Sequence, residues 1–226
     1  MSNIFLTAIN ENPDYIQKFR AFAKSMEINS PEDSIKLYFF NALPDTLAGL
    51  RAKHSNVIFV PRHIDGLEKD PRGKMVCVRT SIVKENMNKF DKISWIDVDI
   101  LIRGSLKEFW NKVEEGSLFI MHRPTARKKS LFQAGVFGLG INSFVNNMIT
   151  WWDAEVQKRV AWWIDQEYLY KAWNLFKDNV KLVELSQQFN DSTFKEKSII
   201  WHSKGGIHFT DPRFQKEYQY YLKKSL

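Results

Sequence analysis

Two aspartates separated by one residue, Asp97 and Asp99, have the type and spacing that most directly indicate chemistry in this sequence. They interrupt the apolar run of residues 93–102, and such runs rarely enclose ionised side chains unless another group compensates their desolvation. If the run is one β-strand, alternation places both carboxylates on one side and Val98 on the other. Two anionic oxygen donors that converge suit a hard divalent cation, Mg²⁺ or Mn²⁺. The alternative interpretation is that the pair marks the point where the strand enters solvent.

The composition limits the class of protein. With 226 residues and 44% hydrophobic content, the chain can build one sizeable core, so we predict a single domain over residues 1–226. The single cysteine, Cys77, excludes an internal disulfide and is typical of a reducing compartment. The first residues lack the basic and apolar segments of a signal peptide, and no apolar stretch is long enough to cross a bilayer. We therefore expect a cytoplasmic protein.

The charge favours anionic partners. Lys and Arg number 33 against 26 Asp and Glu, which gives a net charge of +7. Such an excess suits nucleotides, nucleic acid or an anionic membrane surface. The positive charge is dense in a predicted surface loop at residues 122–130 (Arg123, Arg127, Lys128 and Lys129) and at Lys216–Lys224. The sequence has no arginine-rich tract, no paired zinc ligands and no RNA-binding aromatic signature, so we expect no specific nucleic-acid partner.

Strands and helices alternate along the chain and must position the aspartates. Periodicity and capping signals predict, in order, a strand at Ile4–Asn10, a helix at Asp14–Glu27, a strand at Ser34–Leu43, a helix near Pro44–Lys53, a strand at Asn56–Pro61 and a helix at Gly73–Asn88. This order predicts an α/β fold with a doubly wound, mostly parallel central sheet and helices on both faces. Ligands bind at the carboxyl ends of such strands, so the first strand and the acidic strand should open onto one crevice.

Phosphate-binding glycine loops are missing from the sequence. Neither G-x-G-x-x-G nor G-x-x-x-x-G-K-[ST] is present, which argues against dinucleotide-binding and P-loop chemistry. A nucleotide phosphate could instead be neutralised by a metal on Asp97 and Asp99 together with basic side chains.

The segment Lys92–Trp110 resembles the DxD segment of GT-A glycosyltransferases, and it is most similar to family 8, which includes glycogenin and bacterial lipopolysaccharide galactosyl- and glucosyltransferases. In that family an apolar strand, Asp-x-Asp, a second apolar strand and a Ser-Leu turn lead into a helix ending in Trp. Three later segments follow the family order, namely Phe132–Phe137 (its Asn-Ala-Gly-Val strand), Asp165–Glu167 (its Asp-Gln-Asp motif) and Ile199–Gly206 (its late histidine strand and glycine turn). The chain departs from the pattern at Gln133 and Glu167, where the family has Asn and Asp.

The resemblance covers Ile4 to about Gly206 and implies a compact GT-A enzyme of viral or bacterial type. Asp97, Asp99 and His202 would hold Mn²⁺ or Mg²⁺ on the diphosphate of a nucleotide-sugar, with Asp97 also near the ribose. An imidazole ligand favours Mn²⁺. The alternative for His202 is a buried histidine that is hydrogen-bonded within a strand.

The other candidate site residues, suggested by the resemblance or, for Arg79 and Lys204, by their positions in the sequence, fall into two groups. Contacts to the nucleotide-sugar are expected from Thr7, Ala8, Asn10, Arg79, Asp97, Lys204 and Gly205. Contacts to the acceptor, with catalysis, are expected from Asp165, Glu167 and Gln133. For Arg79 the alternative is a solvated helix face, and for Asp165 it is a helix N-cap.

These observations together predict a metal-dependent glycosyltransferase that moves a sugar from a nucleotide-sugar, with UDP as the expected nucleotide, to a hydroxyl of a glycan or other acceptor. Family 8 implies retention of configuration, whereas a base at Asp165 would permit inversion. Two alternatives stay open, a basic nucleic-acid-binding domain and a metal-dependent nucleotidyltransferase or nuclease. The latter would normally bring a second acidic cluster.

Overall fold

The computed structural model describes residues 2–67, 71–123, 132–159, 161, 163–204 and 208–226. Strands and helices alternate through the first half of the chain, as predicted. The elements in chain order are β1 (Asn3–Asn10), α1 (Pro13–Asn29), β2 (Ile35–Phe40), α2 (Pro44–Lys53), β3 (Val57–Arg62), α3 (Pro71–Asn86), β4 (Lys92–Ile96), β5 (Ile100–Ile102), α4 (Lys107–Lys112), β6 (Ser117–His122), β7 (Phe132–Gly140), α5 (Ser143–Gln157), α6 (Ile164–Phe176), β8 (Lys181–Glu184), a 3₁₀ turn (Gln187–Phe189), β9 (Ile200–His202) and α7 (Pro212–Lys224).

Seven of these strands form one sheet in the order β3-β2-β1-β4-β7-β6-β8, and β5 and β9 form a separate two-stranded sheet. β1, β2 and β3 pair in parallel, as do β6 and β8, whereas β6 and β7 are antiparallel. The mostly parallel α/β architecture expected from the sequence is therefore confirmed.

The described residues group into two compact units. Unit 1 comprises those within Met1–Ile4, Asp65–Trp95 and Phe109–Leu185, and unit 2 those within Phe5–Ile64, Ile96–Glu108 and Ser186–Leu226. Each unit is assembled from three separate stretches of chain. A single domain over residues 1–226 stays a prediction.

In unit 2, the first helix begins where the sequence indicates. The side chain of Asn12 accepts a hydrogen bond from the backbone N–H of Asp14, and Pro13 occupies the first turn, where a missing N–H costs nothing. β2 ends at Phe40 rather than at Leu43, because Asn41 adopts a left-handed backbone with φ 54°. Its side chain bonds both backbone groups of Ile64, so the turned conformation is held in place.

An apolar cluster in unit 2 supports β5 and β9. Leu101 of β5 and Trp201 of β9 pack in it, and the side chains that share this cluster are Ala21, Phe194, Phe214, Tyr218 and Tyr221. Arg103, just beyond β5, stacks over the Trp201 ring at 3.8 Å and pairs with Glu217 of α7 at 2.8 Å. The short two-stranded sheet is therefore anchored from behind by aromatic packing and an ion pair.

In unit 1, helices α5 and α6 pack against each other. Trp152 of α5 is completely buried, lies edge-on to Phe137 of β7, and donates its indole N–H to the backbone oxygen of Asp165 at 2.8 Å. This bond fixes the first turn of α6 relative to α5.

None of the helices formed by the described residues is long and apolar enough to span a bilayer.

Candidate metal centre

Asp97, Val98 and Asp99 lie between two strands rather than inside one. β4 ends at Ile96 and β5 begins at Ile100, and the two strands belong to different sheets. The predicted continuous strand over residues 93–102 is therefore wrong, and strand alternation is not what brings the two carboxylates together. The chain changes its pairing partner here, and the intervening turn carries both aspartates.

The pairing of β5 with β9 brings His202 to the aspartates. The two strands are antiparallel with Ile100 opposite His202, and the ladder continues as the backbone N–H of Ser203 donates to the carbonyl of Asp99 at 2.9 Å. The Ser203 hydroxyl adds a bond to the Asp99 carboxylate at 3.3 Å. Two residues about one hundred positions apart thus become direct neighbours.

Three predicted ligands form one cluster. One ligand atom from each of Asp97, Asp99 and His202 lies within 4.8 Å of the others. The Nε2 atom of His202 is 3.3 Å from Oδ1 of Asp99 and 3.9 Å from Oδ2 of Asp97. Neighbouring ligands of a cation bound at about 2.1 Å are about 3 Å apart, so a small shift of these side chains suffices to enclose one. Two carboxylates with one imidazole fit Mn²⁺ better than Mg²⁺.

The cluster lies at the boundary between protein and solvent. The His202 side chain is 7% exposed, that of Asp99 is 13% exposed and that of Asp97 is 27% exposed. A cation held there keeps open coordination positions for a ligand that arrives from solvent. This graded exposure agrees in part with the alternative considered from sequence, because the aspartates do follow the end of β4.

The other ring nitrogen of His202 contacts a residue that the sequence analysis missed. Nδ1 lies 2.8 Å from Oδ1 of Asn190, which is 1% exposed. The neighbouring Asp191 is completely buried, and its backbone runs beside β9. No local pattern marks Asn190, because only the pairing of distant segments brings it to the histidine.

Asp191 organises the loop that precedes β9. Its carboxylate accepts hydrogen bonds from the backbone of Thr193 and Lys195 and from the hydroxyl of Ser198, at 2.7–2.8 Å. Burial raises the pKa of Asp191, but these hydrogen bonds outweigh it and lower the pKa to about 2. Asp191 is therefore ionised at neutral pH and holds the loop in one conformation.

The residues predicted to receive the base and ribose lie on β1, in unit 2. Thr7 is completely buried, Ala8 is nearly so, and only Asn10 at the end of the strand reaches solvent. Asn10 accepts a bond from the backbone of Asn12 at 3.1 Å. Contact between these residues and a nucleotide stays a prediction.

Two other predicted residues meet each other in unit 1. Arg79 of α3 and Asp165 of α6 form an ion pair at 2.5 Å, with side-chain exposures of 12% and 1%. The guanidinium also lies over the ring of Trp95, 5.0 Å from its centroid. Asp165 lies in the first turn of α6, whose N-cap is Trp163, so the alternative role of Asp165 as a cap is wrong. The solvated helix face considered for Arg79 is also wrong.

The remaining predicted residues are more exposed or lie outside the described part of the chain. Glu167 is half-exposed and pairs with Lys171 at 2.6 Å. Gln133 lies on β7 opposite Met121 of β6, next to a shift in the pairing register of the two strands. Lys204 follows β9 in a turn with φ 47°. Gly205 lies outside the described residues, as does the basic loop except its first two positions, His122 and Arg123.

Comparison with known proteins supports the fold. No protein-family description and no curated sequence matches this chain. Solved glycosyltransferase structures do match it. The galactosyltransferase LgtC, in complex with donor and acceptor sugar analogues, superposes with a TM-score of 0.70 at 16% identity over 99% of this chain and 100% of LgtC. This chain has a GT-A glycosyltransferase fold.

Two larger glycosyltransferases share the GT-A fold with it. GlyE of Streptococcus pneumoniae gives a TM-score of 0.68 at 17% identity, and the chain covers 60% of it. The bifunctional WbbM gives 0.70 at 14% identity, and the chain covers 50% of it. In both cases 98% of this chain is matched. The fold thus agrees with the family 8 resemblance noted from the sequence.

Proposed function

We propose that this protein is a metal-dependent glycosyltransferase that moves a sugar from a nucleotide-sugar, with a UDP-sugar as the expected donor, to a hydroxyl of a glycan. The observation that carries the proposal is the Asp97–Asp99–His202 cluster within a GT-A fold. Among the described residues, no second group of this kind is found, which disfavours nucleotidyltransferase or nuclease chemistry that uses two such clusters.

The residues of the cluster would hold the cation and orient the donor. Asp99 and His202 are the less exposed ligands and provide the fixed side of the site, while Asp97 is exposed enough to meet the ribose as well. Mn²⁺, when bound, supplies a positive charge that stabilises the departing nucleoside diphosphate. Lys204, in the turn after β9, would contact the same diphosphate.

The remaining predicted site residues would contact the sugar and the acceptor. The guanidinium of Arg79 lies over the ring of Trp95, and Trp152 donates a hydrogen bond to the backbone oxygen of Asp165, so both residues are held where their side chains can pair. We propose that Asp165 acts on the acceptor hydroxyl, with Arg79 shared between Asp165 and the donor phosphate. Gln133 and Glu167 complete this set.

The buried single cysteine, Cys77, agrees with a cytoplasmic location.

The proposal is tested by incubating a panel of UDP- and GDP-sugars with the protein and measuring nucleoside diphosphate release in Mn²⁺ and in EDTA. We expect release from at least one UDP-sugar in Mn²⁺ and almost none in EDTA. Calorimetry with UDP alone should show tight binding only when Mn²⁺ is present. Equal UDP affinity in Mn²⁺ and EDTA would exclude a metal bridge.

The rival hypothesis of nucleic-acid binding is tested with the same preparation. We expect weak, sequence-independent oligonucleotide binding that disappears near physiological salt, because it depends on counterion release alone. Tight oligonucleotide binding at that salt, without affinity for any nucleotide-sugar, would replace the enzyme proposal.

A further inference from the structure

Asn190 contacts His202 on the side opposite the aspartates. Its Oδ1 lies 2.8 Å from Nδ1 of His202, and both side chains are buried. A carboxamide oxygen only accepts hydrogen bonds, so this contact requires a proton on Nδ1. In a neutral imidazole the other nitrogen, Nε2, then presents a lone pair.

In that tautomer the lone pair of Nε2 faces the aspartates. Nε2 is 3.3 Å from the carboxylate of Asp99 and 3.9 Å from that of Asp97. The opposite tautomer would donate from Nε2 to Asp99 and form a closed hydrogen bond that competes with a cation. The Nδ1–H tautomer instead makes His202 a third electron-pair donor to the same point.

We propose that Asn190 is a positioning residue of the metal centre, which selects the Nδ1–H tautomer of His202 and so keeps Nε2 available to a divalent cation. The inference rests on the proposed metal-dependent function and extends it to a residue that does not touch the cation. Outer contacts of this kind fix the ring orientation of a histidine ligand and raise its basicity.

The position of Asn190 is itself fixed by its neighbour. The backbone N–H of Asp191 donates to Ile200 at 3.0 Å, and the carbonyl of Asp191 accepts from the backbone N–H of His202 at 2.9 Å. The Asp191 carboxylate ties down the following loop through Thr193, Lys195 and Ser198. Asn190 is therefore presented to the histidine by a rigid segment and needs no rearrangement on cation binding.

The first test measures Mn²⁺ binding by calorimetry, without nucleotide or sugar. Asn190→Leu keeps the approximate size of the side chain and removes the acceptor, so we expect Mn²⁺ affinity to fall by about 10–100-fold. Asn190→Asp restores an acceptor oxygen and should bind Mn²⁺ within a few-fold of wild type. Gln188→Leu is the matched control, since it is a similar amide-to-leucine change two residues away, where the Gln188 side chain donates a hydrogen bond to Glu108.

The second test reads the tautomer in the metal-free protein and does not depend on the folding of any Asn190 variant. Long-range ¹H–¹⁵N NMR spectra, recorded well above the ordinary pKa of imidazole, distinguish Nδ1–H from Nε2–H. The signal of His202 is assigned among the five histidines by its loss in His202→Gln. We expect Nδ1–H in wild type and, in Asn190→Leu, a shift towards Nε2–H.

Two results would overturn the inference, namely an Nε2–H tautomer in the wild type, or Mn²⁺ affinity in folded Asn190→Leu equal to that of Gln188→Leu. Failure of the proposed function has a different signature. A wild type with the Nδ1–H tautomer and Asn190-dependent Mn²⁺ binding, but without turnover of any nucleotide-sugar, would exclude the enzyme proposal and support the role of Asn190.

Discussion

The Asp97–Asp99–His202 cluster of unit 2 and the Arg79–Asp165 ion pair of unit 1 are both built from ionisable side chains but differ in their charge balance. In unit 1, Arg79 and Asp165 are opposite charges at 2.5 Å, so each stabilises the ionised form of the other. In unit 2, Asp97, Asp99 and His202 are three electron-pair donors within 4.8 Å. The charges of the first group balance each other, whereas the second group would be stabilised by a bound cation.

The two groups show two different roles of charged residues in a protein site. A compensated pair provides rigid orientation, because its geometry is supported by its own attraction, by the Trp95 ring under Arg79 and by the Trp152 hydrogen bond to the backbone of Asp165. A cluster of like donors provides affinity for an external cation and is held together by the surrounding backbone pairing instead. The same Asp→Asn substitution should therefore mainly reduce stability in the ion pair and mainly reduce cation binding in the cluster.

The largest effect is expected for Asp99→Asn, which keeps the shape and removes the charge of the less exposed carboxylate. We expect nucleotide-sugar turnover to fall by roughly two to three orders of magnitude, since a principal ligand of the stabilising cation is weakened. Steady-state kinetics in Mn²⁺ measures this, and circular dichroism should show an intact fold. The exposed Asp178→Asn is the control for the chemical change. Normal turnover by a folded Asp99→Asn protein would show that Asp99 is not a ligand of the cation.

The next effect concerns stability. Asp165→Asn leaves the largely buried guanidinium of Arg79 against a neutral amide, so we expect the free energy of unfolding to fall by about 3–4 kcal/mol. Asp97→Asn removes one of two neighbouring negative charges and should change stability by less than about 1 kcal/mol in the absence of metal. Urea denaturation in EDTA compares the two variants. Equal losses in both would contradict the distinction drawn between pair and cluster.

We expect the stability of the protein to depend on pH through His54, a buried histidine in unit 2. Burial lowers its pKa from 6.5 to about 4, and nearby Lys24, Arg20 and Lys53 add to the shift against the opposing effect of Glu27. Between pH 6.5 and pH 4, His54 is therefore protonated in the unfolded chain but neutral in the folded protein. Its effect on the free energy of unfolding is absent above about pH 6.5, and that free energy falls by up to about 3 kcal/mol as the pH drops to 4.

Substitution of His54 by leucine should flatten this part of the pH profile, because an apolar side chain fits beside Phe19 without titrating. Thermal melts of wild type and His54→Leu between pH 7 and 4 would measure it. If both proteins lose stability in parallel, another group is responsible. With His54→Leu, a fall in Mn²⁺ affinity at low pH can be assigned to the cluster rather than to partial unfolding.

Much of the fold was predictable because its early elements have strong local signals. The helix predicted near Pro44–Lys53 is present with those bounds, and α1 was correct within two residues because Asn12 and Pro13 mark its start. The break between β4 and β5 was not predictable, since the apolar residues on both sides look like one strand. Only the pairing of β5 with β9, about one hundred residues away, separates them.

The site shows the same limit. The three candidate ligands could be predicted from residue types and from the family resemblance, and the structure brings them together. Asn190 and the contact between Arg79 and Asp165 were missed as interactions, because each depends on side chains from elements that are distant in sequence. Sequence patterns indicate which residues have suitable chemistry, but not which of them neutralise one another.

The smallest effect is expected at Glu167, which tests whether the exposed end of α6 takes part in the reaction. Its ion pair with Lys171 is exposed and one helical turn apart, so Glu167→Gln should change stability by less than about 0.5 kcal/mol. If the carboxylate contacts the acceptor, the loss of one charge-assisted hydrogen bond should raise the KM for the acceptor by up to about tenfold and leave donor hydrolysis unchanged. Kinetics with varied acceptor, beside Lys171→Gln as a control that also breaks the ion pair, separates the two roles. Identical kinetics in both variants would limit Glu167 to its surface pair and leave acceptor contact to the buried Asp165.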